Sequence, residues 1–206
     1  MSRARSRRGA ALLSAALGPV VLAGCVNVAS FAAAPVDCRT GGDRTPANGV
    51  VLMAQSVPTA TWVPCANPLE PGWNLTGMDA RNGSAEFYLD SDRNDQNDED
   101  IPHTIKVVLT ESCDTDGASE VPSDREGMVR LERVAQINPT YVSERFYTFE
   151  GGCITVLFTV TGKDRSEPLA VATQVIGTVP RDDLRDLVRE QSGGRLELDP
   201  PTAGAP

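Results

Sequence analysis

Lysine is nearly missing from this chain of 206 residues: Lys106 and Lys163 are its two, and His103 is its one histidine. The formal net charge is −9, and that figure mixes two different parts. Residues 1–24 hold Arg3, Arg5, Arg7 and Arg8 and no acid, so residues 25–206 carry 15 Lys+Arg against 28 Asp+Glu, a net of −13. Nucleic acid and anionic headgroups are held by clustered cations, and such a surface repels both. No nucleic-acid partner is expected. Two cysteines at C-x₂-C spacing are also lacking, which with a single histidine argues against a structural zinc site. There is no G-x-S-x-G run to present a nucleophilic serine. Past the first 24 residues no apolar run approaches 18, so no later segment is long enough to cross a bilayer as a helix.

What is present begins with an export signal. Arg3 to Arg8 form a positive start, Ala10 to Leu22 an apolar stretch of 13 residues, and Leu22-Ala23-Gly24-Cys25 sets small residues before a cysteine. Thirteen residues at 1.5 Å rise are too few to span about 30 Å of hydrocarbon. The pattern resembles the bacterial lipobox, in which the thiol receives a diacylglyceryl group and the signal is cut just before it. Residues 1–24 are then a lipoprotein signal peptide and Cys25 the lipidated residue. Two acyl chains give stable anchoring at roughly 0.8 kcal/mol per buried CH₂. The expected address is the extracytoplasmic face of the cell membrane. Ser6-Arg7-Arg8 has the arginine pair of twin-arginine signals, but Gly9-Ala10-Ala11 departs from them, and both export routes stay open.

With Cys25 set aside, Cys38, Cys65, Cys113 and Cys153 remain. An even count in an exported chain reads as two disulfides with three possible connectivities. The sequential pairing, Cys38–Cys65 and Cys113–Cys153, is the preferred one. The second bridge would close a loop worth roughly 4 kcal/mol in the chain-entropy model.

Residues 25–49, rich in Ala, Gly, Pro and Asn, read as a flexible tether. Order is expected from Val50-Val51-Leu52-Met53, and Pro58, Pro64, Pro68 and Pro71 then predict mostly extended chain and loop. Trp62 and Trp73 fall there, either as sugar platforms or, more commonly, as packing beneath a loop. Ser84–Leu89 and Thr104–Thr110 have strand composition, with Ile105, Val107 and Leu109 on one face. Gly127–Val134 is a third candidate strand. Ser143–Thr161 reads as a hairpin turning at Gly151-Gly152, since glycine accepts the positive φ of tight turns. That places Phe149 opposite Ile154 and Tyr147 opposite Val156, with Phe158 on the same core face and Cys153 on the other.

Two helices are predicted next. The first is capped by Ser166, carries Leu169, Ala172 and Ile176, and stops at Gly177. The second opens at Pro180 with Asp182 and Asp183 in its first turn, buries Leu184, Leu187 and Val188, and ends at Gly193-Gly194. Leu196 and Leu198 suggest a short edge strand, and residues 199–206 a disordered tail. The expectation is an α+β domain over residues 50–198: an antiparallel sheet with two C-terminal helices, stapled by disulfides.

One segment resembles a metal loop. Asp90, Asp92 and Asn94 begin a D-x-D-x-N calcium pattern, and Asp98 could add oxygen. The pattern then departs, with Asp95 where glycine belongs and Ile101 where a bidentate glutamate belongs. A solvated loop between strands is the simpler reading, and no other cofactor is expected. His103, between Pro102 and Thr104, reads as an exposed or satisfied side chain. A catalytic part for it would need a serine or cysteine nucleophile beside it.

Ala54-Gln55-Ser56-Val57-Pro58 with Pro64-Cys65, then Gly72-Trp73, Ser91-Asp92-Arg93, Cys113-Asp114, Glu120-Val121-Pro122-Ser123 and Arg130 with Glu132-Arg133 form a series of short signatures. Tyr147 and Phe149 before Gly151-Gly152-Cys153, and Pro180-Arg181 with Leu184, complete it over roughly residues 50–198. The series resembles a family of uncharacterised exported or membrane-anchored actinobacterial lipoproteins. The resemblance implies an amino-terminal lipid or membrane anchor and supplies no catalytic residues. The acidic stretch after Arg93 is longer than in that pattern, which argues further against a calcium site. The function expected is binding of an envelope component or partner protein, with a carboxylate hydrolase or a calcium-dependent module as alternatives.

Overall fold

Strand alternation governs the architecture. A computed structural model describes residues 36–38, 48–92, 103–161 and 166–199; the signal segment, Cys25, Asn94, Asp98 and residues 200–206 lie outside them. The elements are α1 (Asn48–Ser56), β1 (Trp62–Ala66), β2 (Trp73–Arg81), β3 (Ser84–Ser91), β4 (Ile105–Thr110), β5 (Ser119–Val121), β6 (Val129–Gln136), β7 (Tyr141–Phe149), β8 (Gly152–Val160), α2 (Ser166–Val175), β9 (Ile176–Pro180) and α3 (Arg181–Gln191). Seven strands form one antiparallel sheet in the order β2-β3-β4-β8-β7-β6-β5, and β1 pairs with β9 in a separate two-stranded ribbon. This is the expected α+β class, with two C-terminal helices and two disulfides.

On the sheet's inner face Phe87 and Leu89, Ile105, Val107 and Leu109, and Ile154, Val156 and Phe158 are all buried. Every second residue of a strand points the same way, so these three strands present one continuous apolar surface. Val50, Met53 and Ala54 of α1, Val63 and Val179 of the ribbon, Val171 and Val175 of α2 and Leu184 of α3 join them in a single core cluster.

Several elements differ from expectation. Order, expected from Val50 with no element assigned there, begins with the helix α1 at Asn48, whose Val50, Met53, Ala54 and following Val57 are buried at helical spacing. Helix α2 ends at Val175 rather than Gly177, and Ile176 packs as a strand residue. Leu196 and Leu198 form no strand: Leu198 is buried and Leu196 is exposed. The β7–β8 turn is Glu150-Gly151, pairing Phe149 with Gly152 and Tyr147 with Ile154. This is two residues off the expected register. A two-residue slip preserves side-chain parity, so the predicted core face is still the core face.

Both disulfides are present in the sequential pairing, Cys38–Cys65 with Cα atoms 4.9 Å apart and Cys113–Cys153 with Cα atoms 5.8 Å apart. Gly177 serves the first. A Cβ there would lie 2.4 Å from the Cys38 sulfur and 3.3 Å from the Cys65 sulfur, so a bare backbone is what lets the bridge pass over β9. Gly177→Ala is therefore expected to leave a measurable fraction of Cys38 and Cys65 as free thiols. It should cost about 2–4 kcal/mol, the range of a lost disulfide. Thiol titration in denaturant, with a melting curve beside it, checks both. A fully oxidised variant with wild-type melting would refute the packing role.

Candidate functional site

Of the residues singled out around the acidic run, Asp90 and His103 meet at the end of β3, while the Asp92 backbone N–H donates to the Gly72 carbonyl at 2.9 Å. Asp90 is buried, and its carboxylate is taken by three neighbours. The Thr104 backbone N–H donates to Oδ1 at 2.8 Å, the Thr76 hydroxyl donates to Oδ2, and His103 Nδ1 lies 2.9 Å from Oδ2. The imidazole stacks on Tyr88, with ring centroids 4.0 Å apart. Tyr88 itself lies over Gly77 of β2, where a Cβ would come within 3.0 Å of the ring. Beside it on the same outer face, Lys106 Nζ is 2.6 Å from Glu86, which also accepts from the Tyr88 hydroxyl. Burial, and then the Glu86 carboxylate, push the Tyr88 phenol up to about 12. Burial works against the charge on Glu86, but hydrogen bonds from Lys106 and Tyr88 outweigh it and hold its carboxyl below the ordinary range.

Asp90 is thus a structural acceptor that joins β3 to the start of β4. Its oxygens are turned to Thr76, His103 and Thr104, and among the described residues no group of three His, Cys, Asp or Glu is arranged to hold a metal ion. His103 is satisfied by Asp90 and Tyr88, neither of them a serine or cysteine nucleophile. Trp73 is buried in the core and Trp62 packs against it half-buried, so neither is a free sugar platform.

A second polar cluster is one that sequence reasoning missed. On the inner face the alternation that buries Tyr147 continues to Arg145, whose side chain is 8% exposed. Arg145 donates to Glu132 at 2.8 Å and to the Thr173 hydroxyl of α2 at 2.9 Å. Arg130 shares Glu132 and reaches Asp124, which also accepts from the Tyr147 hydroxyl at 3.0 Å. Arg125 lies over the Tyr147 ring, 4.7 Å from its centroid, and donates to the Ile176 carbonyl of β9. Extending the two-residue period from Tyr147 to Arg145, and from Arg130 to Glu132, would have found the cluster. Beside it an open groove of about 460 Å³ is lined by Glu120, Val121, Pro122, Ser123, Met128, Val129 and Arg130.

Burial disfavours the charge on Glu132, yet hydrogen bonds from Arg130 and Arg145 prevail and lower its pKa from 4.5. A carboxyl lowered on folding stabilises the native state above its unfolded pKa and loses that contribution as pH falls through the folded value. Glu132→Gln is therefore expected to destabilise the domain at pH 7, where Arg145 loses its partner. It should also flatten the decline in stability below pH 4.5. Urea denaturation of both proteins at pH 7 and at steps below 4.5 reads both effects. Parallel pH curves would show that Glu132 does not carry the acid sensitivity.

No protein-family model matches this chain, and no curated protein matches it. Among solved structures, a crystal structure of a protein from Bacteroides thetaiotaomicron VPI-5482 at 1.50 Å resolution is 15% identical, with a TM-score of 0.30. The match covers 62% of this chain and 48% of that one, so this chain spans about half of its length. Likeness at that level carries no argument about fold or function.

Proposed function

We propose that this chain is an exported lipoprotein, anchored to the extracytoplasmic face of the cell membrane through a diacylglyceryl group on Cys25. Its disulfide-stapled domain, residues 50–198, binds an envelope component or a partner protein there. One observation carries the reading. Of five cysteines, Cys38, Cys65, Cys113 and Cys153 are used up in two disulfides, which leaves Cys25, directly after Leu22-Ala23-Gly24, with no cysteine of its own chain to pair with. Disulfides belong to oxidising compartments, and the odd cysteine stands where a lipobox places it. Membership of the actinobacterial family of anchored proteins is part of this proposal.

Binding is preferred to catalysis on electrostatic grounds. A carboxyl acting as general acid needs a raised pKa. Asp79, Glu86, Asp124 and Glu132 are instead lowered, and each is tied to a Lys, Arg or Tyr partner.

Labelling with palmitate tests the anchor. The wild-type protein is expected to take up label in the membrane fraction, and Cys25→Ala to take up none and to keep its signal segment. Equal labelling of the two, or a cytosolic protein with reduced thiols, defeats the proposal. A pull-down from detergent-solubilised envelope, with the Cys25→Ala protein as control, then seeks the bound component.

A further inference from the structure

The seven-stranded sheet ends in two edges of opposite character. At one, β5 is three residues long with the exposed Glu120 at its middle, so two such edges would set acid against acid. At the other, β2 runs nine residues and pairs, among the described residues, with β3 alone. An edge of that length leaves main-chain donors and acceptors open to another strand. The hairpin decides which ones. Asn82-Gly83 is a two-residue turn, so Arg81 and Ser84 exchange the hydrogen bonds nearest to it. Antiparallel pairs alternate, and the N–H and C=O of Ala80 and Met78 therefore point away from β3. The strand is irregular between Leu75 and Gly77, where the Thr76 hydroxyl turns to Asp90, which leaves residues 77–81 as the regular part of the edge.

Asp79 and Arg81 form an ion pair within the strand on the outer face, their side chains 36% and 79% exposed, and the half-buried Ala80 stands between them on the other face. A second β2 laid antiparallel against this edge has few registers to choose from. Centred on Asp79 it brings two carboxylates together, and centred on Arg81 two guanidiniums. Centred on Met78 it faces Asp79 with Gly77 and leaves the charges unmatched. Centred on Ala80 it puts Asp79 of each copy opposite Arg81 of the other, a favourable cross-strand pair made twice. The four charges then alternate around a square, and the two alanines meet with Cα atoms about 5.5 Å apart. A hollow of about 140 Å³ lined by Asp79, Arg81, Ser84 and Glu86 offers the incoming guanidinium a second carboxylate.

We propose that two copies of this chain associate through the free edges of β2, antiparallel and in the Ala80 register, joining their two sheets into one. The Ala80 N–H of each copy donates to the Ala80 carbonyl of the other. This pairing needs neither a lipid on Cys25 nor an envelope partner.

Sedimentation equilibrium of the purified full chain, in detergent matched in density to the solvent, reads the protein mass alone. Wild type is expected to reach the mass of two copies as its concentration rises to about 1 mM. Asp79→Arg and Arg81→Asp each set like charges face to face, and each should weaken association about tenfold or more. The double variant Asp79→Arg/Arg81→Asp restores the alternating square and should return to within about threefold of wild type. Hydrogen exchange on wild type gives a reading that needs no variant. The Ala80 and Met78 amides should slow as concentration rises, with those of Ser119, Glu120 and Val121 unchanged. A wild type of single-copy mass throughout, single swaps that associate as wild type does, or a double variant as weak as the singles overturns the proposal. Slowing at β5 in place of β2 overturns it as well.

Discussion

Gly151→Ala is expected to destabilise the domain by about 2–5 kcal/mol, combining a left-handed backbone cost of roughly 1–2 with an overpacking cost of about 1–3. Gly151 has φ of +74°, and a Cβ on it would stand 1.9 Å from the Thr59 carbonyl oxygen and 2.8 Å from its carbon. That neighbour is backbone, and it cannot rotate away as a side chain would. It is also fixed from the other side, because the Thr61 N–H and hydroxyl both donate to the Glu150 carbonyl in the same turn. The β7–β8 hairpin and the segment between α1 and β1 therefore have to separate together. At about 2–4 °C per kcal/mol for a domain of this size, the melting temperature should fall by roughly 4–20 °C. Gly83→Ala supplies the control. Its φ is +83° and nothing lies within 4 Å of the added carbon, so it carries the backbone cost without the collision. If the two variants melt together, the contact with Thr59 is not what requires glycine at 151.

The same turn shows what a sequence reveals and what it hides. Tyr147, Ile154, Val156 and Phe158 declare their face by alternation, and Ile105, Val107 and Leu109 do the same, because one side of each strand must be apolar whatever it pairs with. Register is a different matter. Both Gly151 and Gly152 suit a tight turn, and the choice falls to packing: Gly152 sits in the strand because a Cβ there would come 2.8 Å from the Phe149 ring and 3.0 Å from Ala60. Neighbours so far along the chain leave no local trace. The ribbon is harder still, since β1 contains Pro64 and β9 contains Gly177 and Pro180. Each strand exists through its pairing with the other, Trp62 with Pro180 and Ala66 with Ile176. Helix α1 was legible in Val50, Met53, Ala54 and Val57, but the prolines after it pointed to extended chain. At the site, the D-x-D-x-N spacing fits calcium and strand alternation equally. Asp90 takes its partners from β2 and from the start of β4, which no spacing along the acidic run can show.

Arg181→Met should cost about 2–4 kcal/mol, since a buried acceptor left without its donor costs about 1–3. Arg181 is 2% exposed although it opens a helix, and its hydrogen bonds run to main-chain carbonyls where a carboxylate would be the usual partner. One Nη donates to Ala54 at 2.6 Å and lies 3.5 Å from the Val57 carbonyl, while Nε and the other Nη donate to the Asp199 carbonyl. Ala54 needs this donor for a reason written in the sequence. Its helical partner four residues on is Pro58, which has no N–H to give. A cation at the C-terminal end of α1 also meets the negative end of the helix dipole. Burial still makes the charge harder to hold, and the pKa of Arg181 is lowered accordingly. Methionine keeps most of the volume, so the loss reads the carbonyls rather than a cavity. Arg181→Lys, with a single compact ammonium, can serve Ala54 or Asp199 but cannot fork to both, and should fall between. Arg189→Met, whose side chain is 56% exposed, is expected within about 0.5 kcal/mol of wild type. Hydrogen exchange should show where the loss lands: the buried Leu198 segment and the last turn of α1 should open together, ahead of the sheet. Should Arg181→Met prove as stable as Arg189→Met, the fork between Ala54 and Asp199 is not what joins the end of the domain to its first helix.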